Sequence, residues 1–362
     1  MKIAYIINSV EGGGAAFPVP SIAKALRDCG AKIEVFALTR RDGRALPAMI
    51  ASGLDPTVRD GGETDQFRAL AWLDRTIARF QPDIIWTSLT RATLLGQLVG
   101  LRRRIPVVSW QHKEYLLPAN RRLLRCMRRL SALWVADSSS VAAFTTRELL
   151  VPPAKLVTWP IFAGEASAPQ AKPWQPGQVL RIASLGRLHE HKGYDVLIDS
   201  LARLRTDSDS RPPFEVTIAG AGSDREELLA KAIAAGLTNL VFVGFVEDTR
   251  SFLADQHLYV QPSRSEGFCV AAHEAMQAGL PVLASRVGEM ANSILPGVTG
   301  ALVPPGDPEA LASALARCLA SPADLYSMGA AGRERLLAQY SASRFRETAA
   351  GIYGRLEGFR ST

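Results

Sequence analysis

Pro262-Ser263-Arg264-Ser265-Glu266-Gly267-Phe268-Cys269 stands between a β-rich run, Leu258–Gln261, and a helical stretch, Val270–Ala278; a further apolar run, Pro281–Ala284, follows. Strand, loop, helix and strand in that order is the repeating unit of a parallel sheet with helices on both faces. Ligands of such sheets bind outside the carboxyl ends of the strands, so this loop is also where chemistry is expected.

The unit recurs in both directions. Toward the C-terminus lie a strand at Ala301–Val303 and helices at Asp307–Ala320, Asp324–Gln339 and near Arg344–Gly354. Toward the N-terminus, strands are expected at Leu240–Val243, Phe214–Ala219 and Val179–Ser184. Residues 161–178 interrupt the alternation with Pro169, Pro173 and Pro176 and read as a linker. Before them the pattern resumes: strands at Lys2–Asn8, Lys32–Leu38, Asp83–Ser88, Pro106–Trp110 and Ala132–Asp137, with helices at about Ser21–Cys29, Asp65–Phe80, Ala92–Leu101 and Arg121–Leu130. The expected architecture is two doubly wound α/β domains, 1–160 and 179–340, with a C-terminal helix at 341–362 packing back on the first.

A chain of 362 residues with 47% apolar content can fill two such cores. Cys29, Cys126, Cys269 and Cys318 form no CxxC pair, which argues against a disulfide framework or a zinc site and suits a reducing, cytoplasmic setting. The apolar run after Lys2 is broken at Asn8 and reads as no signal peptide, and no run of ~20 apolar residues is present. Residues 1–160 hold 23 Lys and Arg against 13 Asp and Glu, whereas the remainder holds 19 against 22. A net charge of +10 on the first half points to an acidic partner there, or to a solvated arginine-rich surface. The basic residues lack interleaved aromatics, which argues against nucleic acid.

Four loops at strand ends carry candidate chemistry. Gly12-Gly13-Gly14 lets a backbone approach a phosphate or sugar ahead of a helix start. Phe17 spoils the G-x-G-x-x-G/A spacing, and the second strand ends Thr39-Arg40 without an acidic residue, which lowers a dinucleotide reading. Gly186-Arg187-Leu188-His189-Glu190-His191-Lys192-Gly193 brings two cations to one loop, as a diphosphate requires. In the opening stretch, Glu266 and Glu274 stand as E-x7-E, and Gly267, Phe268, Cys269 and Val270 offer free N–H groups at a helix start. Glu274 lies on an otherwise apolar stretch and needs a partner: two ribose hydroxyls, or an arginine such as Arg286. Trp110-Gln111-His112-Lys113 places His112 to reach a cleft or to bond within the fold. Asp207-Ser208-Asp209 lies at a strand entrance and reads as solvated loop, not a metal site.

These motifs resemble the retaining glycosyltransferases of family 4, glycosyl transferases group 1, whose fold is GT-B: two Rossmann-like domains facing across a cleft. The resemblance is strongest from Gly186 to Gly300. It implies a nucleoside-diphosphate sugar donor, with Arg187 and Lys192 on the diphosphate, Glu266 on the sugar, Glu274 on the ribose, Val246 on the base and His112 near sugar and acceptor. It also implies retained anomeric configuration and no essential metal or cofactor. The family's Asn-Gly-Val-Asp is replaced by Thr158-Trp159-Pro160-Ile161, and Cys269 stands where small residues are usual. The competing readings are an NADP-linked oxidoreductase using Arg40, and a non-catalytic sugar-nucleotide binding module. On the stretch 121–130, Arg121, Arg122, Arg125, Arg128 and Arg129 are expected on one helix face, with Leu123, Leu124, Met127 and Leu130 on the other. Together with Tyr115–Leu117 they suggest docking of the first domain on an anionic membrane, or an acidic or lipid-linked acceptor.

Overall fold

Runs of four to eight residues rich in Ile, Val, Leu and aromatics, buried on both faces, read as strands of parallel sheets covered on each side. The computed structural model describes residues 1–204 and 211–359 and contains two such sheets. Asp207–Asp209 lie outside the described residues. Two compact units result: Met1–Ala163 with the segment from Ala342, and Gly164–Ser341.

The first unit holds β1 (Lys2–Ser9), β2 (Lys32–Thr39), β3 (Thr57–Val58), β4 (Ile84–Ser88), β5 (Val107–Gln111), β6 (Leu133–Ala136) and β7 (Leu156–Thr158), in spatial order β3-β2-β1-β4-β5-β6-β7. Every pairing is parallel. The two outermost strands, β3 and β7, are too short to register as periodic runs in the sequence. One face is packed by Ile6, Ile85, Leu73 and Val99. The other carries a ring stack: Trp86 lies against Tyr5 and Trp110, and Trp110 stacks on Trp159 at 5.0 Å.

The helix after β1 spans Val19–Asp28, two residues earlier than expected from Ser21. Pro20 sits in its first turn, where a missing N–H is harmless, so the prolines open this helix and do not break it. The helix expected at Arg121–Leu130 spans Pro118–Met127 and then tightens to a 3-10 turn at Arg128–Leu130. Leu124 is buried as expected, but Leu123 faces outward at 50% exposure. The helix Ala342–Gly358 returns to this unit, packing beside Val19–Asp28 and setting Phe345 on Trp159 at 5.0 Å.

The second unit holds β8 (Leu180–Leu185), β9 (Phe214–Ala219), β10 (Leu240–Gly244), β11 (Leu258–Gln261), β12 (Val282–Ser285) and β13 (Gly300–Val303), in order β10-β9-β8-β11-β12-β13, again parallel throughout. Of residues 161–178, read from sequence as a linker, 161–163 belong to the first unit and 164–178 are fastened to this one. Gly164 N–H donates to Tyr340 O at 2.6 Å, Glu165 N–H to Gln277 Oε1 at 2.6 Å, and Trp174 packs on the core.

In each sheet the strand order reverses at one point, between β1 and β4 in the first and between β8 and β11 in the second. There the flanking connections leave in opposite directions and open a crevice at the carboxyl ends. The candidate loops follow these strands or their neighbours. No helix among the described residues is long and apolar enough to cross a membrane.

Candidate active site

At the reversal in the second unit, the loops after β8 and β11 meet. Gly193 has φ of +67° and lies so close to the Pro262 carbonyl that a Cβ would collide with it. Glycine is therefore required for the two loops to approach. Lys192 Nζ reaches Glu266 Oε1 at 2.6 Å, and Ser263 Oγ donates to the same oxygen at 2.7 Å. Burial works against the charge on Lys192, but the Glu266 carboxylate overrides it and holds the ammonium above its ordinary range. Arg187 is exposed on the same loop, two residues past the β8 end and after the half-buried Gly186.

Glu266-Gly267-Phe268-Cys269 then turns into the helix Val270–Gln277. Cys269 takes φ of +63° at the N-cap, a left-handed position that explains why small residues suit it. Its thiol is pushed up by burial and by Glu266, so it is no ready nucleophile. Gly288 backs the loop: its φ is +57°, and a Cβ there would strike the Gly267 carbonyl. Phe268 stacks on His273 at 3.9 Å. His273 faces the Cys269 carbonyl through Nδ1 at 2.9 Å and Ser293 through Nε2 at 2.8 Å. A carbonyl only accepts, so Nδ1 carries the hydrogen; burial lowers the ring's pKa to about 4 and keeps it neutral.

Glu274 lies on the next turn of that helix, half-buried. No hydrogen bond or ion pair joins its carboxylate to Arg286 or to any other group among the described residues. Arg250 acts on it only at a distance and is itself bonded to Glu165 at 2.8 Å. Burial pushes the Glu274 carboxyl up to about 7, partly offset by Arg250. A carboxylate in this setting accepts hydroxyl donors readily. Val246 is half-buried in the loop following β10.

In the first unit, His112 follows β5 and is buried. Its Nδ1 lies 3.2 Å from Asp137 Oδ2 and its Nε2 2.7 Å from Ser88 Oγ. The Asp137 carboxylate only accepts, so Nδ1 carries a hydrogen toward it, and Nε2 faces the Ser88 hydroxyl. The ring also stacks on Trp110 at 5.4 Å. Both ring nitrogens thus have partners inside this unit, and a ligand hydroxyl would have to displace Ser88 to reach Nε2. Sequence reading missed Ser88 and Asp137; each sits at or just past a strand end, the position that exposed His112. Gly13 and Gly14 lie in the turn after β1, where Gly13 O accepts from Ala16 and Phe17 N–H at 3.1 Å. At the surface of the second unit, His189, Glu190 and His191 hold potential metal-ligating atoms within 4.8 Å of one another. His189 Nδ1 there already accepts from His191 N–H.

The sequence model described as Glycosyltransferase Family 4 matches residues 12–162, and that described as Glycosyl transferases group 1 matches residues 180–321, so each unit is covered by one. Among curated proteins, the lipopolysaccharide core biosynthesis mannosyltransferase LpcC of Rhizobium leguminosarum is 32% identical over 189 residues, 51% of this chain and 53% of that protein. The amylovoran biosynthesis glycosyltransferase AmsK of Erwinia amylovora is 36% identical over 174 residues, 45% of this chain and 42% of that protein. The matched stretch spans about half the length of these relatives. Among solved structures, HepE of Anabaena in complex with UDP-glucose superposes with a TM-score of 0.84 at 21% identity, covering 98% of this chain and 100% of that one. Sucrose-phosphate synthase of Thermosynechococcus elongatus gives 0.80 at 20% identity over 99% of both. At these identities the likeness is one of fold.

Proposed function

The chain belongs to the GT-B glycosyltransferases, and from that footing we propose that it transfers a sugar from a nucleoside-diphosphate sugar to an acceptor hydroxyl during assembly of a surface polysaccharide, lipopolysaccharide or glycolipid. The observation that carries the reading is the meeting of Lys192 and Glu266 at the β8/β11 reversal, with the unpaired Glu274 further along the helix. In this reading Arg187, Lys192 and the N–H groups from Gly267 to Val270 hold the diphosphate, Glu266 the sugar, Glu274 the ribose and Val246 the base. Negative charge grows on the leaving phosphate, and donors fixed in advance around it lower the barrier most. The cations of the loop balance that charge, so the reaction is read as needing no resident metal. Attack on the face from which the diphosphate leaves would retain the anomeric configuration.

The test is a screen of the purified protein for nucleotide release from uridine, guanosine and adenosine diphosphate sugars. Arg187→Ala and Lys192→Ala are expected to fold and to lower turnover by ~10²–10³, the usual cost of one lost transition-state donor. Wild-type rates in both variants would remove the diphosphate assignment.

The acceptor is read as acidic or lipid-linked, taken at the inner face of a cytoplasmic membrane. Tyr115, Leu117 and Leu123 are exposed beside Arg122, Arg125 and Arg129, and the adjoining helix Thr90–Arg103 exposes Leu98, Leu101 and Arg102. Arg121 is bonded to Glu148, and Arg128 folds back on the Leu150 carbonyl, so these two contribute less. Basic residues near an anionic surface contribute ~1 kcal/mol each. Co-sedimentation with phosphatidylglycerol vesicles is expected to be salt-sensitive and to fall in an Arg122/Arg125/Arg129 triple Gln variant. No vesicle binding at low salt would remove the membrane reading and leave an acidic saccharide acceptor.

A further inference from the structure

β11 is buried in the middle of its sheet, yet every second residue from Tyr259 is polar. Tyr259, Gln261 and Ser263 are all fully buried. Side chains two apart share one face of a strand, which sets Tyr259 and Gln261 together, and Ser263, just past the strand end, continues their hydrogen-bonded line to Glu266. Their hydrogen bonds join end to end. Leu185 N–H donates to the Tyr259 hydroxyl at 3.1 Å; the single hydroxyl hydrogen has two acceptors in reach, Gln261 Oε1 at 2.6 Å and the Leu185 carbonyl at 3.2 Å, and the shorter contact to Gln261 takes it. Gln261 Nε2 donates to Ser263 Oγ at 2.8 Å, and Ser263 Oγ donates to Glu266 Oε1 at 2.7 Å, where Lys192 also ends.

Each link constrains the next. Burial raises the Tyr259 pKa, so its oxygen keeps the hydrogen it donates. That donation fixes which end of the Gln261 amide faces Ser263. Nε2 then occupies a lone pair of Ser263, whose single hydrogen turns to Glu266. A buried polar chain gains little net stability over aliphatic packing of the same volume, and each broken link leaves an unsatisfied group. Stability alone does not account for it.

We propose that Tyr259, Gln261 and Ser263 form a positioning relay that pins Glu266 through Oε1, so that its other oxygen is presented to the donor sugar, and that ties this presentation to the backbone at Leu185, where the phosphate loop begins. The inference rests on the donor reading above. It makes sugar recognition depend on three residues that touch no ligand.

The experiment measures affinity by calorimetry for UDP and UDP-glucose, and for GDP and GDP-mannose. The proteins are wild type, Ser263→Ala, Ser263→Thr, Gln261→Glu and Glu266→Gln, with thermal melts as a fold control. The readout is the ratio of sugar-nucleotide to nucleotide affinity. A merely structural defect weakens both ligands together and leaves the ratio unmoved. Ser263→Ala is expected to lower the ratio ~10-fold, the scale of one hydrogen bond to a charged group, with nucleotide affinity held. Gln261→Glu puts an acceptor where Nε2 donates, draws the Ser263 hydrogen away from Glu266, and is expected to act alike. Ser263→Thr keeps the hydroxyl and is expected to restore the ratio. Should Ser263→Ala melt below the assay temperature, Tyr259→Phe carries the test, with a smaller drop in the same direction. Wild-type ratios in folded Ser263→Ala and Gln261→Glu, beside a lowered ratio in Glu266→Gln, would overturn the relay and leave the donor reading standing. A wild-type protein that binds none of the four ligands and also releases no nucleotide from adenosine diphosphate sugars would overturn both.

Discussion

At the scale of single residues, Glu274 makes the sharpest prediction. Its carboxyl sits at about 7, above the ordinary 4.5, because burial disfavours the ion and Arg250 offsets this only in part. A folded-state pKa above the unfolded one means that the folded protein holds the proton more tightly. The group's stabilising contribution is then complete below about pH 4.5 and is lost as the pH rises through 7. Melting temperature is expected to decline across that window in wild type and to be flatter in Glu274→Gln. Ligand binding should run the opposite way. If ribose hydroxyls donate to the ionised carboxylate, nucleotide affinity rises ~10-fold from pH 6 to pH 8, following the ionised fraction. In Glu274→Gln this rise should vanish, and affinity at pH 8 should fall by ~1.5–3 kcal/mol. Calorimetry at the two pH values checks both statements; a pH-independent affinity in wild type would remove the ribose role. The sequence marked Glu274 as anomalous because a carboxylate interrupted an apolar stretch. It left open whether Arg286 pairs with it, since side chains a dozen residues apart meet or miss only in three dimensions.

At the scale of elements, the loops after β8 and β11 act as one structure because Gly193 permits it. Gly193→Ala places a side chain at φ of +67° and drives it into the Pro262 carbonyl. The expected cost is ~1–3 kcal/mol of stability from backbone strain. Nucleotide affinity should also fall, because Lys192 precedes the strained residue and Ser263 follows the displaced carbonyl. A variant that melts and binds like wild type would show that the two loops do not depend on this approach. Both loops stood out in the sequence by charge and glycine content. The alternation Tyr259-x-Gln261-x-Ser263 stands in the sequence too, since two polar residues at period two in a central strand and a third just past its end conflict with a core. Only the parallel pairing of β8 with β11, Tyr259 opposite Ala183, shows that they are internal and lead to Glu266.

At the scale of the whole molecule, contacts between stretches remote in sequence close each unit. The helix Ala342–Gly358 buries Phe345, Ala349, Ile352 and Leu356, a helical spacing that covers the face bearing Trp159 and the helix Val19–Asp28. Removing residues from 342 onward is expected to expose that face and to lower the melting temperature of the first unit, with a red shift of tryptophan emission. An unchanged melt would mean that the helix adds nothing to the fold. The connecting segment 164–178 behaves comparably in the second unit: it looks unstructured by composition, yet backbone bonds to Gln277, Ala278 and Tyr340 hold it.

Apart from the short edge strands β3 and β7, the order of strands, the two parallel sheets and the loops that bear Arg187, Lys192, Glu266 and Glu274 followed from the sequence by itself, because burial periodicity and glycine placement are local signals. Three features were decided only by the tertiary structure. Residues 164–178 join the second unit, Glu274 has no partner among the described residues, and His112 is held between Ser88 and Asp137. Each depends on which distant groups the strand order brings within hydrogen-bond reach, about 3 Å. No periodicity in a single chain encodes that distance.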